Sequence, residues 1–266
     1  MMVPFFALPL MGSKGVESSK YWADDESIPD FSPRTYVCYH RSGPITIDGQ
    51  LEEKVWSEIP WTSSFEDIRG EGWPAPQFDT RVKMTWDDEY FYVAAQMEEP
   101  HIWATITERD AVIFHDNDFE VFIDPDGDTH GYYEMEMNAL NTVWDLLLVK
   151  PYRNGGPAVD HWDINGLKTA VHVDGSLNDP SDEDQGWSVE IAFPLSVLQE
   201  YSGGVMPGDG NKWRVNFSRV QWHTLVQNGE YVKKENPETG RHLPEENWVW
   251  SPQGVVDMHR PETWGI

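Results

Sequence analysis

Thr80-Arg81-Val82-Lys83-Met84-Thr85-Trp86-Asp87-Asp88-Glu89-Tyr90-Phe91-Tyr92-Val93-Ala94-Ala95-Gln96 is the stretch that decides the fold. Val82, Met84 and Trp86 share one parity, and Arg81, Lys83 and Thr85 share the other, the period-two alternation of a half-buried strand. An acidic turn at Asp87-Asp88-Glu89 joins it to a second run rich in aromatic and β-branched residues, so the segment reads as a β-hairpin.

The same pattern recurs along the chain. Phe119-Glu120-Val121-Phe122-Ile123 turns through Asp124-Pro125-Asp126-Gly127-Asp128 into Tyr132-Tyr133-Glu134-Met135-Glu136-Met137-Asn138. Further strands are expected at Val143–Val149, Leu167–Val173, Trp187–Phe193, Trp213–Trp222 and Trp248–Trp250. Helical periodicity is confined to Leu51–Ile59 and to Pro194–Tyr201, where a proline opens the turn. About ten short strands separated by Gly, Pro, Asp and Asn predict an all-β protein, a two-sheet antiparallel β-sandwich of jelly-roll or immunoglobulin-like type with one or two short helices. Residues 1–33 read as an N-terminal extension. The apolar start, Met2 to Met11, has the character of a signal-peptide remnant, without the basic residues that normally precede one. The sandwich is expected over 34–266.

Composition narrows the function. Lys+Arg 19 against Asp+Glu 46 gives a net charge of -27 in 266 residues. A phosphate backbone or an anionic membrane surface needs a cationic face, so neither nucleic acid nor membrane insertion is expected. Neutral ligands and bound cations are compatible with this charge. Aromatics make up 13% of the chain, 14 of them tryptophan, and indole faces stack on the apolar C–H faces of sugars. Cys38 is the one cysteine, which excludes an intrachain disulfide and leaves the compartment open. A nucleophile elbow, a P-loop and a dinucleotide fingerprint are all absent from the sequence, and no organic cofactor is expected.

By alternation Glu120 and Glu136 leave the hairpin on one face and lie roughly opposite each other, a destabilising arrangement unless a cation, a proton or a basic side chain offsets it. Arg109 and Arg219 are the candidates for that side chain. The pair reads as the floor of a polar ligand cleft or as a solvated outer face. It also raises glycoside hydrolysis by two carboxylates, although sequence shows neither the raised pKa nor the separation that chemistry requires. Asp124, Asp126 and Asp128 alternate as in calcium loops, without the downstream glutamate of an EF-hand. Trp56, Trp86, Trp187 and Trp213 read as core. Trp144, Trp248 and Trp250 are open between core and sugar platform, and His115 and His259 between ligand contact and structural hydrogen bonding.

Four motifs in fixed order carry a resemblance: Ile45-Thr46-Ile47-Asp48-Gly49 with Trp56 following, Thr80-Arg81-Val82-Lys83 leading to Trp86–Val93, Asp116-Asn117-Asp118-Phe119-Glu120-Val121-Phe122-Ile123-Asp124, and Gly186-Trp187-Ser188-Val189-Glu190-Ile191-Ala192. Together they resemble the family 9 carbohydrate-binding modules and their DOMON-type relatives, from about Arg34 to the C-terminus. The resemblance implies a β-sandwich, an extracytoplasmic location (secreted, periplasmic or cell-surface), sugar binding without catalysis, often with calcium, and work alongside glycoside hydrolases such as xylanases. In sugar-binding members two tryptophans clamp a terminal sugar while an arginine and an acid bind its hydroxyls. The acid matches Glu120. The first clamp position falls near Phe114, the arginine position on Glu136, and the second clamp position around Met258 or His259. The expected carbohydrate site is therefore Arg109, Phe114, His115, Glu120, Glu136, Trp144, Trp250 and His259, with calcium expected at Asp124, Asp126 and Asp128. Haem-carrying relatives of the sandwich supply an alternative, with Met135, Met137, His101 or His130 as axial ligands.

Overall fold

A computed structural model describes residues 32–41, 43–204 and 206–266. The apolar start, and with it the signal-peptide reading, lies outside the described residues. In chain order the elements are β1 (Tyr39–His40), helix α1 (Lys54–Glu58), β2 (Glu66–Asp67), β3 (Thr80–Trp86), β4 (Tyr90–Glu98), β5 (Asp118–Asp124) and β6 (Tyr132–Asn138). They continue with β7 (Val143–Leu148), β8 (Ala158–Val159), β9 (Lys168–Asp174), β10 (Gly186–Pro194), helix α2 (Leu195–Leu198), β11 (Arg214–Gln221), β12 (Thr224–Gln227), β13 (Glu230–Lys233) and β14 (Glu246–Val249).

Two sheets hold the fold. One has five strands in the order β1-β3-β4-β10-β9, the other seven in the order β2-β14-β11-β5-β6-β7-β8. The expected antiparallel pairing holds throughout except for β1, which runs parallel to β3. The inward residues of β3, β4 and β10 (Val82, Met84, Val93, Val189, Ile191) pack with Phe119, Val121, Met135, Met137 and Phe217 of the other sheet in one buried cluster. Each such side chain withdrawn from water contributes roughly 1.5–3 kcal/mol, so this layer is what joins the sheets.

The opening signature is a strap over the outer face of the five-stranded sheet. Glu190, which projects outward from β10, accepts hydrogen bonds from the Asp48 and Gly49 amides at 2.9 Å each and from Trp56 Nε1 at 2.6 Å. Gly49 has φ +86°, and a Cβ there would lie 2.5 Å from the His172 amide nitrogen, so only glycine fits. Val55 and Trp56 of α1 then bury against Tyr92, Ala94 and Ala192.

Among the described residues fourteen strands form where about ten were expected. The largest addition is the β12–β13 hairpin, whose turn residues Asn228 and Gly229 have φ +57° and +83°. Asn-Gly is the preferred two-residue hairpin turn, so the signal was in the sequence, but the polar flanking strands hide it from a search for hydrophobic alternation.

Candidate functional site

The outer face of the seven-stranded sheet carries the chemistry. Along β5, Phe119, Val121 and Ile123 enter the core, so Asp118, Glu120 and Phe122 point the other way; along β6 the same parity sends Glu134 and Glu136 outward. The ladders align Ser218 of β11, Glu120 of β5, Glu136 of β6 and Trp144 of β7 in one row across four strands. Asp118 lies one step along β5 from Glu120 on this face, opposite Asn138, and Glu134 lies opposite Phe122. Glu120 is 4% exposed, Glu136 2%, Glu134 5% and Asp118 fully buried.

Few groups answer these carboxylates. Glu136 Oε2 accepts a hydrogen bond from the Phe114 amide at 3.0 Å, and Asp118 Oδ1 accepts one from the Val220 amide at 3.2 Å. Asp118 Oδ2, Glu120 Oε2, Ser218 Oγ and Trp144 Nε1 are buried with no partner. Burial, and then repulsion among the group, raises Asp118, Glu134 and Glu136 well above the usual carboxylate range. Burial pushes Glu120 up to about 7.

Both proposed counter-charges belong elsewhere, which corrects the expectation for Arg109. It pairs with Asp145, and with Asp163 at 3.2 Å; Asp145 is opposite Met135, on the inward parity of β7 and on the far side of the sheet from Glu136. Arg219 is opposite Phe119, also inward, and is held by Glu99 at 2.9 Å and by Thr80 at 3.0 Å. Among the described residues, none of Asp118, Glu120, Glu134 and Glu136 forms an ion pair.

Aromatic side chains surround this floor. Phe114, in the 3-10 turn Ile113–His115, sits over Glu136 through its amide, and its carbonyl accepts from Trp222 Nε1 at 2.9 Å. His115 is exposed, with its ring 4.9 Å from that of Phe114. Tyr152 is exposed and meets His259 edge-on at 4.5 Å, while His259 Nδ1 is 3.0 Å from the Tyr132 hydroxyl. Burial, with Arg153 nearby, lowers His259 to about 4, so its ring is neutral at pH 7. The hairpin thus brings Glu120, Glu136 and Trp144 into one row, with Phe114 hydrogen-bonded to its floor, whereas His115 and His259 are tied to the flanking rings.

Trp250 is the second correction. It is 2% exposed in the inter-sheet core, 6.0 Å from the Phe217 ring, and Gly265 approaches so closely that a Cβ would fall 2.1 Å from the indole. Trp248 is likewise buried. The residues missed were Asp118, Glu134, Ser218 and Tyr152. Strand parity would have found the first three; Tyr152 comes from a connection with no local signal.

Asp124, Asp126 and Asp128 do come together, with carboxylate oxygens within 4.8 Å of one another. Asp124 already accepts from the Gly127 and Thr129 amides at 2.9 Å each, and Asp126 from the Asp128 amide at 3.3 Å, so the loop is laced as a turn. The haem alternative finds no support: Met135 and Met137 are sealed in the core while His101 and His130 are exposed. A polar hollow of about 310 Å³ opens on the other sheet, where Arg81, Gln96, Ser188 and His172 align across β3, β4, β10 and β9.

Residues 47–208 match the family model described as "Carbohydrate family 9 binding domain-like". Among characterised proteins, Exoglucanase XynX of Acetivibrio thermocellus is 23% identical over 167 residues, 63% of this chain and 13% of that protein. Endo-1,4-beta-xylanase A of Thermoanaerobacterium saccharolyticum is 26% identical over 168 residues, 63% of this chain and 12% of that protein. The chain therefore corresponds to a small part of each enzyme. A family 9 carbohydrate-binding module from Caldicellulosiruptor kristjanssonii, solved with cellotriose, superposes with TM-score 0.54 at 17% identity, covering 86% of this chain and 90% of that one. The same organism's module with glucose gives TM-score 0.51 at 17% identity, covering 85% and 92%. At these identities the likeness establishes a shared sandwich fold.

Proposed function

The chain belongs to the carbohydrate family 9 binding domain-like family, and on that premise we propose that it is a non-catalytic carbohydrate-binding protein whose sugar lies on the outer face of the seven-stranded sheet. The observation that carries the placement is the row Ser218–Glu120–Glu136–Trp144, with its unpartnered polar atoms. Buried polar groups normally have partners, and a run of unanswered ones on one face marks a surface completed by something else. A sugar arriving there meets Trp144, Tyr152, Phe114 and His115, whose rings suit its C–H faces.

The site departs from an arginine-and-acid arrangement, since Glu136 stands where the resemblance puts arginine. An arginine donor at that position is therefore missing from this face. The names of the two relatives support a polysaccharide-degrading setting, with xylan or a β-glucan as ligand source, glycoside hydrolases as functional partners and a location outside the cytoplasm. Calcium at Asp124, Asp126 and Asp128 remains a subsidiary proposal, supported by three converging carboxylates and weakened by their use in the turn. Calorimetry against glucose, xylose and their β-1,4 oligomers tests the function. Heat of binding at millimolar or lower concentration is expected for at least one series, and none for any sugar contradicts it.

A further inference from the structure

The β12–β13 hairpin lies beyond residues 47–208, the segment that matches the family model. It borders the proposed sugar face through Trp222. This residue follows β11 and continues the outward parity of Ser218 and Val220. Its indole Nε1 donates to the Phe114 carbonyl at 2.9 Å, and the Phe114 amide donates to Glu136 at 3.0 Å. Lys233 of β13 places its ammonium 3.3 Å from the Trp222 ring centre and 6.0 Å from that of Trp103. The hairpin is tied down on both sides of this contact. The Lys234 amide donates to the His223 carbonyl at 2.7 Å, and the Tyr231 hydroxyl is 3.1 Å from a ring nitrogen of His101. In a chain with Asp+Glu 46, Lys233 is a half-buried cation that no carboxylate contacts among the described residues. Asp116 and Glu245 act on it only through space, and Asp116 is already committed to the Thr105 and Ile106 amides and to Asn138. Glu245 acts on Glu120 as well, so the ammonium and the floor share one electrostatic neighbourhood.

We propose that Lys233, held on Trp222, forms a second sugar subsite that takes the next unit of a neutral β-1,4-linked chain whose first unit lies over Glu120 and Glu136. The inference rests on the sugar placement given above. Trp222 is four residues along the strand from Ser218, roughly 13 Å at about 3.3 Å per residue, a span for a chain of sugars rather than for one ring. Cation–π attraction holds the ammonium over the indole without using up its N–H groups, so its donors stay available to hydroxyl oxygens. They supply what the carboxylate of Glu136 cannot give. Burial lowers the Lys233 pKa, the mark of an ammonium with few waters around it, and an arriving hydroxyl then displaces little hydration. Glu245 and the acids of the floor favour a neutral chain over a uronate, which they would repel.

Calorimetry with the mono-, di- and trisaccharides of the glucose and xylose series compares wild type, Lys233→Met and Lys233→Arg, with thermal melts of all three. Lys233→Met keeps an unbranched stem on Trp222 and removes the ammonium. In the wild type the disaccharide of the recognised series is expected to bind about tenfold more tightly than its monosaccharide. Lys233→Met is expected to abolish most of that gain while leaving the monosaccharide Kd and the Tm unchanged, and Lys233→Arg to retain it. A lysine with a merely structural role would instead lower the Tm and weaken sugars of every length together, which overturns the proposal. So does a gain that survives Lys233→Met in full. Monosaccharide binding with no gain on lengthening overturns the subsite alone. No heat for any sugar in the wild type overturns the sugar-binding reading itself, and the subsite with it.

Discussion

Glu120 stands directly opposite Glu136 in the β5–β6 ladder, both on the outer face and both within a few per cent of complete burial. Like charges in this position repel across the strands, and desolvation adds to the cost. In metal-free protein at pH 8, Glu136→Gln relieves the repulsion with little change of shape. Urea unfolding is expected to show a gain of about 1 kcal/mol. A loss of that size would mean that the Phe114 amide's hydrogen bond to Glu136 matters more than the repulsion.

Trp144 and Tyr152 are expected to contribute stacking to sugar affinity. Replacing either by alanine removes roughly 1 kcal/mol of aromatic contact, which is about a fivefold rise in Kd. Calorimetry of Trp144→Ala and Tyr152→Ala reads this directly; unchanged affinity in both would move the sugar off this face.

Trp250 is expected to behave as core. Trp250→Ala leaves a cavity beside Phe217 and Gly265 and costs about 3–5 kcal/mol in a denaturant titration. The milder Trp250→Phe keeps sugar affinity at the wild-type value, and a tenfold loss there would return Trp250 to the binding surface.

Glu190 locks the strap. Glu190→Ala leaves the Trp56 indole N–H and the Asp48 and Gly49 amides without their acceptor, each an unmet donor worth about 1–3 kcal/mol. Stability is expected to fall by about 3 kcal/mol or more, and hydrogen exchange at residues 48–56 to quicken. A drop below about 1 kcal/mol would show the strap held by α1 packing alone.

His259 supplies a pH signature. Its folded pKa, about 4, lies below the ordinary value of 6.5, so the unfolded chain takes up the proton first. Its contribution to stability is complete above about pH 6.5 and is lost as pH falls towards 4, by at most about 3 kcal/mol. His259→Phe also removes the contact with the Tyr132 hydroxyl and lowers stability at pH 7. Its stability is nevertheless expected to decline less than that of wild type between pH 7 and 4. Parallel curves would contradict the buried, neutral ring.

Period-two alternation made the sandwich and the Glu120–Glu136 pairing readable, because a strand's parity decides which face each side chain takes. The same rule would have corrected Arg219, since it shares parity with the inward Phe217, whereas Trp250 shares parity only with Trp248, whose own side the sequence left open. It would also have added Asp118 to Glu120. Arg109 was not legible in this way: it lies in a connection, and its partner Asp145 is a carboxylate on an inward parity that hydrophobic patterning does not anticipate. Tyr152 and His259 meet across more than a hundred residues, a contact fixed by the C-terminal segment, whose Trp264 packs on Phe122 and Tyr132. The motifs behind the family resemblance turn out to be partly architectural. Asp48-Gly49, Trp56 and Glu190 build the strap, and Asp116 holds the Thr105 and Ile106 amides at 2.7 and 2.8 Å.

The indole N–H resonances in a nitrogen-15 correlation spectrum, followed as cello- and xylo-oligosaccharides are added, report on both faces of the sandwich at once. Trp144 Nε1, unpartnered in the row with Glu120 and Glu136, is expected to shift in proportion to saturation, while Trp187, beside the polar hollow of the five-stranded sheet, stays in place. A shift at Trp187 with Trp144 unmoved would put the sugar on the opposite sheet and contradict the site described above.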